Sequence, residues 1–277
     1  LFEALLVGRR FDEVADIACR ICSICSTVHK VAALQALEQA LGVQASRQTR
    51  LLRELAVQGG QIERHALHIF CLALPDYLGV GGFPGLANAA PLELQQGLGI
   101  KALGNSIQET VGGRAIHPFN LLAGGLGKTP ETGQLLSLAD RLAAIHDTVA
   151  ALISFVAGLA HALPALPALP ACAVSGGPHL FGDHLITTTG EIVPAASAAA
   201  WMNEQVVPYS NAKVSRFDGK TTFMVGPLAR FNLLMPPAHT GEAAGLPVGA
   251  SLTARAVELQ QAVERAASLI SQLLAEG

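Results

Sequence analysis

The stretch Arg20-Ile21-Cys22-Ser23-Ile24-Cys25-Ser26-Thr27-Val28-His29 carries two thiols separated by two residues and an imidazole four residues further on. Two sulfurs and a ring nitrogen so placed form a metal-ligand arrangement. A helix from Ile24 onward would put Cys22, Cys25 and His29 at spacings of three and four, on one face that a cation could approach. The positive end of the helix dipole favours thiolate over thiol, which prepares both sulfurs to bind metal or to react. The same three residues also suit a packed core, since free Cys is among the most buried residue types. Cys19 extends the pair to the CxxCxxC spacing of ferredoxin-type sites, so an iron-sulfur electron-transfer module is an alternative. The fourth cysteine followed by proline is missing from that pattern, and three such residues share a cluster only on a loop.

Helices must position this stretch. Val31, Leu34, Leu37 and Leu41 keep helical spacing over 28–41, and Gly42 supplies the stop. Leu1 to Arg10 reads as the end of a helix, followed by an acidic connection through Asp12, Glu13 and Asp16. A second long helix is predicted from Ser46 to Leu74, ended by Pro75 and bent at Gly59-Gly60. A Gly-rich loop and a helix over 92–109 lead to Gly112-Gly113-Arg114-Ala115-Ile116-His117-Pro118, whose paired glycines allow close packing. Thr129 is placed to cap a helix with Pro130 at its first position, running to about His161. Residues 148–175 carry no formal charge, but Pro164, Pro167 and Pro170 interrupt the run, so no membrane span is predicted.

The repeated Ala-Leu-Pro of 162–170 reads as a stiff connector. Between Cys172 and Phe231 the alternating Thr, Val and Ser, as in Thr221 to Val225, predict short antiparallel strands. A last helix over 251–275 sets Leu252, Val257, Leu259, Val263, Leu269, Ile270 and Leu273 inward. The expected class is mainly α (α+β), a long-helix bundle with a small antiparallel β insertion. It is expected as a single domain over 1–277, with a helical region over 1–161, a connector and β-containing region over 162–250, and the helix 251–275.

Half of the 277 residues, 51%, are hydrophobic, ample for a large core. Charged residues make up 14% against about a quarter in ordinary globular chains, and the net charge is -3. Such a surface fits either a broad area covered by a partner subunit or simply an Ala- and Gly-rich composition. Nothing is basic enough for nucleic acid. Five cysteines, three of them crowded into 19–25, make no disulfide framework and point to a reducing, cytoplasmic setting. No charged-then-apolar leader opens the sequence, and a first residue of Leu inside an amphipathic run reads as a fragment.

Three pieces together resemble the large subunit of nickel-iron hydrogenases, most closely its soluble, cofactor-linked cytoplasmic groups. They are Arg20 to His29, the loop Gly112 to Pro118, and the run from Ala212-Lys213-Val214-Ser215-Arg216 through Val225-Gly226-Pro227-Leu228-Ala229-Arg230. The resemblance implies that Cys22 is a terminal thiolate on nickel, that Cys25 bridges nickel to an iron carrying carbonyl and cyanide ligands, and that His29 supports the site from behind. It implies Glu3 as a carboxylate on a structural magnesium, a hard ion that takes oxygen donors; an ordinary helix-surface Glu is the plain alternative. His65 and His68 stand where the family has a similar pair near the metals, or are satisfied core histidines. The implied reaction is reversible, heterolytic cleavage of H2, with electrons leaving through an iron-sulfur small subunit, then through further electron-transfer subunits.

Some positions depart from the family's pattern. Ser23 stands where Gly is usual, Cys19 is an extra thiol, and Arg64 replaces a small or acidic residue. The second CxxC pair that supplies the other two sulfurs does not occur in these 277 residues, so the chain reads as a middle portion lacking both termini. A non-catalytic scaffold with the hydrogenase-like fold is a second alternative, and a zinc site from Cys22, Cys25, His65 and His68, whose intervening loop is much longer than in ordinary zinc fingers, ranks last.

Overall fold

The Glu13 carboxylate accepts a hydrogen bond from the Arg10 N–H, Oε2 to N 3.1 Å, and starts helix α1, Phe11–Ala18. The acidic run predicted as a connection is therefore helical, because its carboxylates stand at the positive end of the helix dipole and satisfy an otherwise orphaned donor. The predicted helix end over 1–10 is instead a short 3-10 turn, Glu3–Leu5. This architecture comes from a computed structural model, which describes residues 2–159, 172–175, 181–188, 190–217, 221–234 and 250–276. Two compact units emerge, one from Leu1–Leu152 with Leu259–Gly277 and one from Ile153–Glu258. The predicted Ala-Leu-Pro connector lies outside the described residues.

In the first unit α2, Ser26–Leu41, ends as predicted at Gly42, whose φ of 67° closes the helix in the left-handed region. Helix α3, Arg47–Ala66, begins where Ser46 Oγ accepts from the Thr49 N–H at 3.1 Å. It passes Gly59-Gly60 without a break and continues through a π-helical stretch, Leu67–Ala73, into α4, Leu74–Tyr77. Pro75 thus does not end the helix at residue 74. A proline inside a helix removes one hydrogen bond and crowds the carbonyl four residues back. Shifting to five-residue bonding ahead of it, as in Leu74 N–H to the Ile69 carbonyl, makes the needed room.

Helix α5, Gly82–Ala89, occupies part of the predicted Gly-rich loop, and α6, Pro91–Gly112, exceeds its predicted length at both ends. Helices α3 and α6 form the centre of the core. Leu52, Leu55, Ala56, Val57 and Ile62 from one and Ile100, Leu103, Ile107 and Val111 from the other are buried. Each large aliphatic side chain so buried contributes about 1.5–3 kcal/mol. A two-stranded hairpin follows, β1 Leu121–Leu122 with β2 Gly125–Leu126.

Helix α7, Thr132–Leu159, starts two residues later than the predicted first position at Pro130. The Glu131 N–H donates to Gln134 Oε1 at 2.9 Å, so a side chain three residues on satisfies the donor that precedes the helix. By length and composition α7 is long and apolar enough to cross a membrane. Its buried residues, Leu135, Leu138, Leu142, Val149, Leu152 and Val156, recur at helical spacing, as on a helix packed along one side of a protein core.

The second unit holds the predicted antiparallel strands. Strands β3 Cys172–Ser175, β4 His184–Thr187 and β5 Ile192–Pro194 make one sheet in that order. After the short α8, Ala198–Trp201, strands β6 Met202–Gln205 and β7 Val214–Phe217 make another. Residues 221–225 are no strand: Thr221 makes a single bridge to Phe217. Phe223 leaves that line to stack on the Phe217 ring, 4.1 Å between centroids, with Trp201 at the same distance on Phe217. Helix α9 spans Pro227–Leu234.

Helix α10, Ser251–Ala275, has the predicted bounds. Val257 is half-buried where a core residue was predicted, and its neighbour Glu258 is buried instead, where it accepts from the Arg230 guanidinium through both carboxylate oxygens. The observed class is the predicted one, mainly helical with small antiparallel sheets.

Candidate metal centre

Helix α1 closes at Cys19 and α2 opens at Ser26, and the turn between them carries both sulfurs. Cys25 is the N-cap of α2, while Cys22 lies ahead of the helix. The prediction that Cys22, Cys25 and His29 share a helix face therefore holds only for Cys25 and His29. The chain turns at Cys22 because its Sγ accepts the Cys25 N–H, at 3.3 Å, a donor at the helix start that has no intrahelical partner. Cys22 and Cys25 are joined as a disulfide with Cα atoms 5.5 Å apart, and two-electron reduction yields the dithiolate that a soft metal requires. The Cys25 N–H and the positive end of α2 both favour that charge.

Beneath the turn the first residues of α2 are buried and each polar group has a partner. Thr27 Oγ1 donates to Gln108 Oε1 on α6 at 2.7 Å. Lys30, 2% exposed, extends its ammonium to the Asp16 carboxylate on α1. The Arg20 guanidinium donates to the Asp16 carbonyl at 2.7 Å. The predicted loop Gly112 to Pro118 is the lid of this floor: the His117 N–H donates to Ser26 Oγ and its Nδ1 meets the Cys19 carbonyl oxygen, both at 3.0 Å. Arg64 reaches the same region, since its Nη2 and Gln108 Oε1 each stand 3.2 Å from the point where a Cβ on Gly60 would lie.

Cys19 does not join the pair. Its buried thiol donates to the Asp16 carbonyl at 3.2 Å, and burial pushes its pKa up despite the nearby Lys30 and Arg20, so it stays a thiol. Ser23, where the family usually has Gly, is exposed and is not in the left-handed region, so its backbone does not require a glycine. His29 is half-buried one turn beyond Cys25, Glu3 is exposed in its 3-10 turn, and His65 is buried on α3 with His68 half-buried beyond it. Among the described residues, no three His, Cys, Asp or Glu side chains form a group able to hold a cation. The structure thus brings together Cys22 and Cys25, and does not gather His29, Glu3, Cys19 or the histidine pair with them into such a group. Two adjacent sulfurs on an electropositive helix start fit a soft transition metal and leave its other positions to further donors.

Sequence reasoning did not assign roles to Ser26, Thr27, Lys30 or Gln108, and gave His117 no chemistry. Ser26, Thr27 and His117 had a signal, their place in the stretches that carry the family likeness, and Lys30 and Gln108 had none.

A family model described as nickel-dependent hydrogenase matches residues 1–98. The chain is 36% identical over 293 residues to the alpha subunit of sulfhydrogenase 2 of Pyrococcus furiosus, across 100% of this chain and 67% of that protein. It is 32% identical over 288 residues to the alpha subunit of sulfhydrogenase 1 of the same organism, across 99% of this chain and 67% of that protein. Among solved structures, an NAD+-reducing [NiFe]-hydrogenase in the H2-reduced state has a similar fold, with a TM-score of 0.87 and 22% identity over 100% of this chain and 70% of that one. The Ni-Fe-Se hydrogenase of D. vulgaris Hildenborough has it too, with a TM-score of 0.74 at 20% identity, over 99% and 71% of the two chains.

Proposed function

Because the chain belongs to the nickel-dependent hydrogenase family, we propose that it is the large subunit of an enzyme that cleaves H2 reversibly and heterolytically, with Cys22 and Cys25 as ligands of a Ni-Fe centre. The observation that carries this is the pair of sulfurs set side by side on the turn that opens α2. A bound nickel-iron pair would supply Lewis acidity toward H2, which is too weak an acid to lose a proton unaided. Cys22 and Cys25 would hold that pair, Cys25 as the bridge, and a thiolate of the set would accept the proton. The iron is proposed to carry carbonyl and cyanide ligands. His29, on the same helix, would support the Cys25 end. Glu3, an exposed hard donor, would serve magnesium, with water completing the shell.

Both relatives are named as alpha subunits, so other subunits accompany proteins of this kind. An iron-sulfur small subunit, with further electron-transfer subunits, is the proposed partner. Its support here is the apolar rim of the turn, where Ile24, Val28, Ile116 and Phe119 are exposed. The clustered thiols favour a reducing compartment, and a cytoplasmic location belongs to the proposal.

Elemental analysis of the full-length complex tests the centre. Nickel is expected together with an excess of iron, since the iron-sulfur partner carries iron of its own, and the nickel is expected to be lost in both C25S and C22S. Zinc alone, or nickel unaffected by either substitution, would overturn the assignment.

A further inference from the structure

Among the described residues His117 is the only non-glycine with a positive φ, 54°, and it precedes Pro118, which further restricts its backbone. Such a conformation persists only where its surroundings hold it. The His117 N–H donates to Ser26 Oγ, and Nδ1 lies against the Cys19 carbonyl oxygen. A carbonyl only accepts, so Nδ1 carries the proton. Ser26 and Cys19 are both fully buried, which shields these bonds from competing water.

Ser26 directly follows Cys25, and Cys19 is the residue at which α1 closes. The two bonds therefore grip both ends of the six-residue turn 20–25 from partners 91 and 98 residues away in sequence. The gripping loop is itself braced on α6. The Phe119 and Asn120 N–H groups donate to the Gly112 carbonyl at 3.1 and 3.0 Å, and Asn120 Nδ2 donates to the Val111 carbonyl at 2.8 Å. Gly112 is needed for this, since a Cβ there would stand 2.7 Å from Pro118 Cβ.

We propose that His117 is a positioning residue: by holding Cys19 and Ser26 at one fixed separation, it sets the distance between the Cys22 and Cys25 sulfurs and hence the bite they offer a metal pair. This deepens the proposed metal centre and rests on it for its functional meaning, but its test needs no metal. The equilibrium between dithiol and disulfide reports how often the two sulfurs meet. Glutathione disulfide serves as oxidant: one cysteine thiolate displaces a glutathione thiolate, the second cysteine displaces the other, and two glutathione thiols leave.

The experiment takes the full-length polypeptide purified without nickel, equilibrates it in glutathione buffers, alkylates it and reads the Cys22–Cys25 peptide by mass spectrometry. His117→Gly keeps the backbone N–H and the left-handed conformation and loses only the imidazole. His117→Asn tolerates the same backbone and returns a side-chain donor. The expected result is a fall of about tenfold in the equilibrium constant for His117→Gly, recovered to within about threefold by His117→Asn. A fall of less than about threefold for His117→Gly, or no recovery with Asn, would overturn the proposal even if thermal stability changed. Should His117→Gly fail to fold, Ser26→Ala, which removes the other acceptor, decides by the same threefold criterion. A chain that shows this dependence yet binds no nickel would refute the metal centre and leave the positioning intact.

Discussion

Gly104 on α6 lies against Gly59 on α3, so near that a Cβ on Gly104 would stand 2.6 Å from the Gly59 carbonyl oxygen and 2.5 Å from the Glu63 amide nitrogen. A Cβ on Gly59 would in turn meet the Gly104 carbonyl oxygen at 2.9 Å. Both obstacles are backbone and cannot rotate away. The two glycines thus fix how closely the central helices approach.

Gly104→Ala is expected to destabilise the protein by about 1–3 kcal/mol or more, because one added methyl must force the helices apart. Gly99→Ala, on the exposed face of the same helix with nothing within 4 Å, is expected to stabilise by up to about 1 kcal/mol through helix propensity alone. Urea unfolding of the two variants beside the parent measures the difference in sign.

Arg53 on α3 and Glu38 on α2 form a bidentate pair at 2.9 and 2.6 Å, both residues buried. The pair also holds the β1–β2 hairpin, through Arg53 Nη2 to the Leu122 carbonyl at 2.7 Å and the Gly124 N–H to Glu38 Oε1 at 2.6 Å. Arg53→Met leaves a buried carboxylate without its counter-charge and is expected to cost about 3–5 kcal/mol. Combining it with Glu38→Leu is expected to restore some of that loss, read as a coupling energy in a double-mutant cycle.

The same pair sets an acid limit. Burial pushes the Glu38 carboxyl up, but the hydrogen bonds from Arg53 and the Gly124 N–H, with the Arg53 charge, outweigh it and leave the group below its usual value of 4.5. A folded-state value below the unfolded one means the unfolded chain takes up the proton first. The stabilisation is therefore full above about pH 4.5 and is lost as pH falls through the folded value. Unfolding free energy measured against pH is expected to fall less steeply below that point in Glu38→Gln than in the parent.

Thr27 and Gln108 join the start of α2 to α6 through one buried hydrogen bond. Gln108→Leu strands the Thr27 hydroxyl and is expected to cost about 1–3 kcal/mol. Adding Thr27→Val, which removes the stranded group, is expected to recover much of it. Nickel content of the full-length complex, read beside stability, is expected to fall in Gln108→Leu because the floor under Cys25 loosens.

The sequence by itself determined the helical character, the bounds of α10, the stop of α2 at Gly42, the two sulfurs of the turn, and the stretches by which the chain resembles its family. These are local signals: side-chain period, a residue able to adopt positive φ, and ligand types at short spacing. The structure decided that Cys22 stands off the helix and that the chain runs through Pro75 by a π-helical stretch, both through local bonds that side-chain period does not reveal, and tertiary packing alone decided that His117 and Gln108 meet the cysteine turn. The meeting of His117 and Gln108 with the cysteine turn rests on partners 81 to 98 residues apart whose hydrogen bonds leave no periodic trace in the chain.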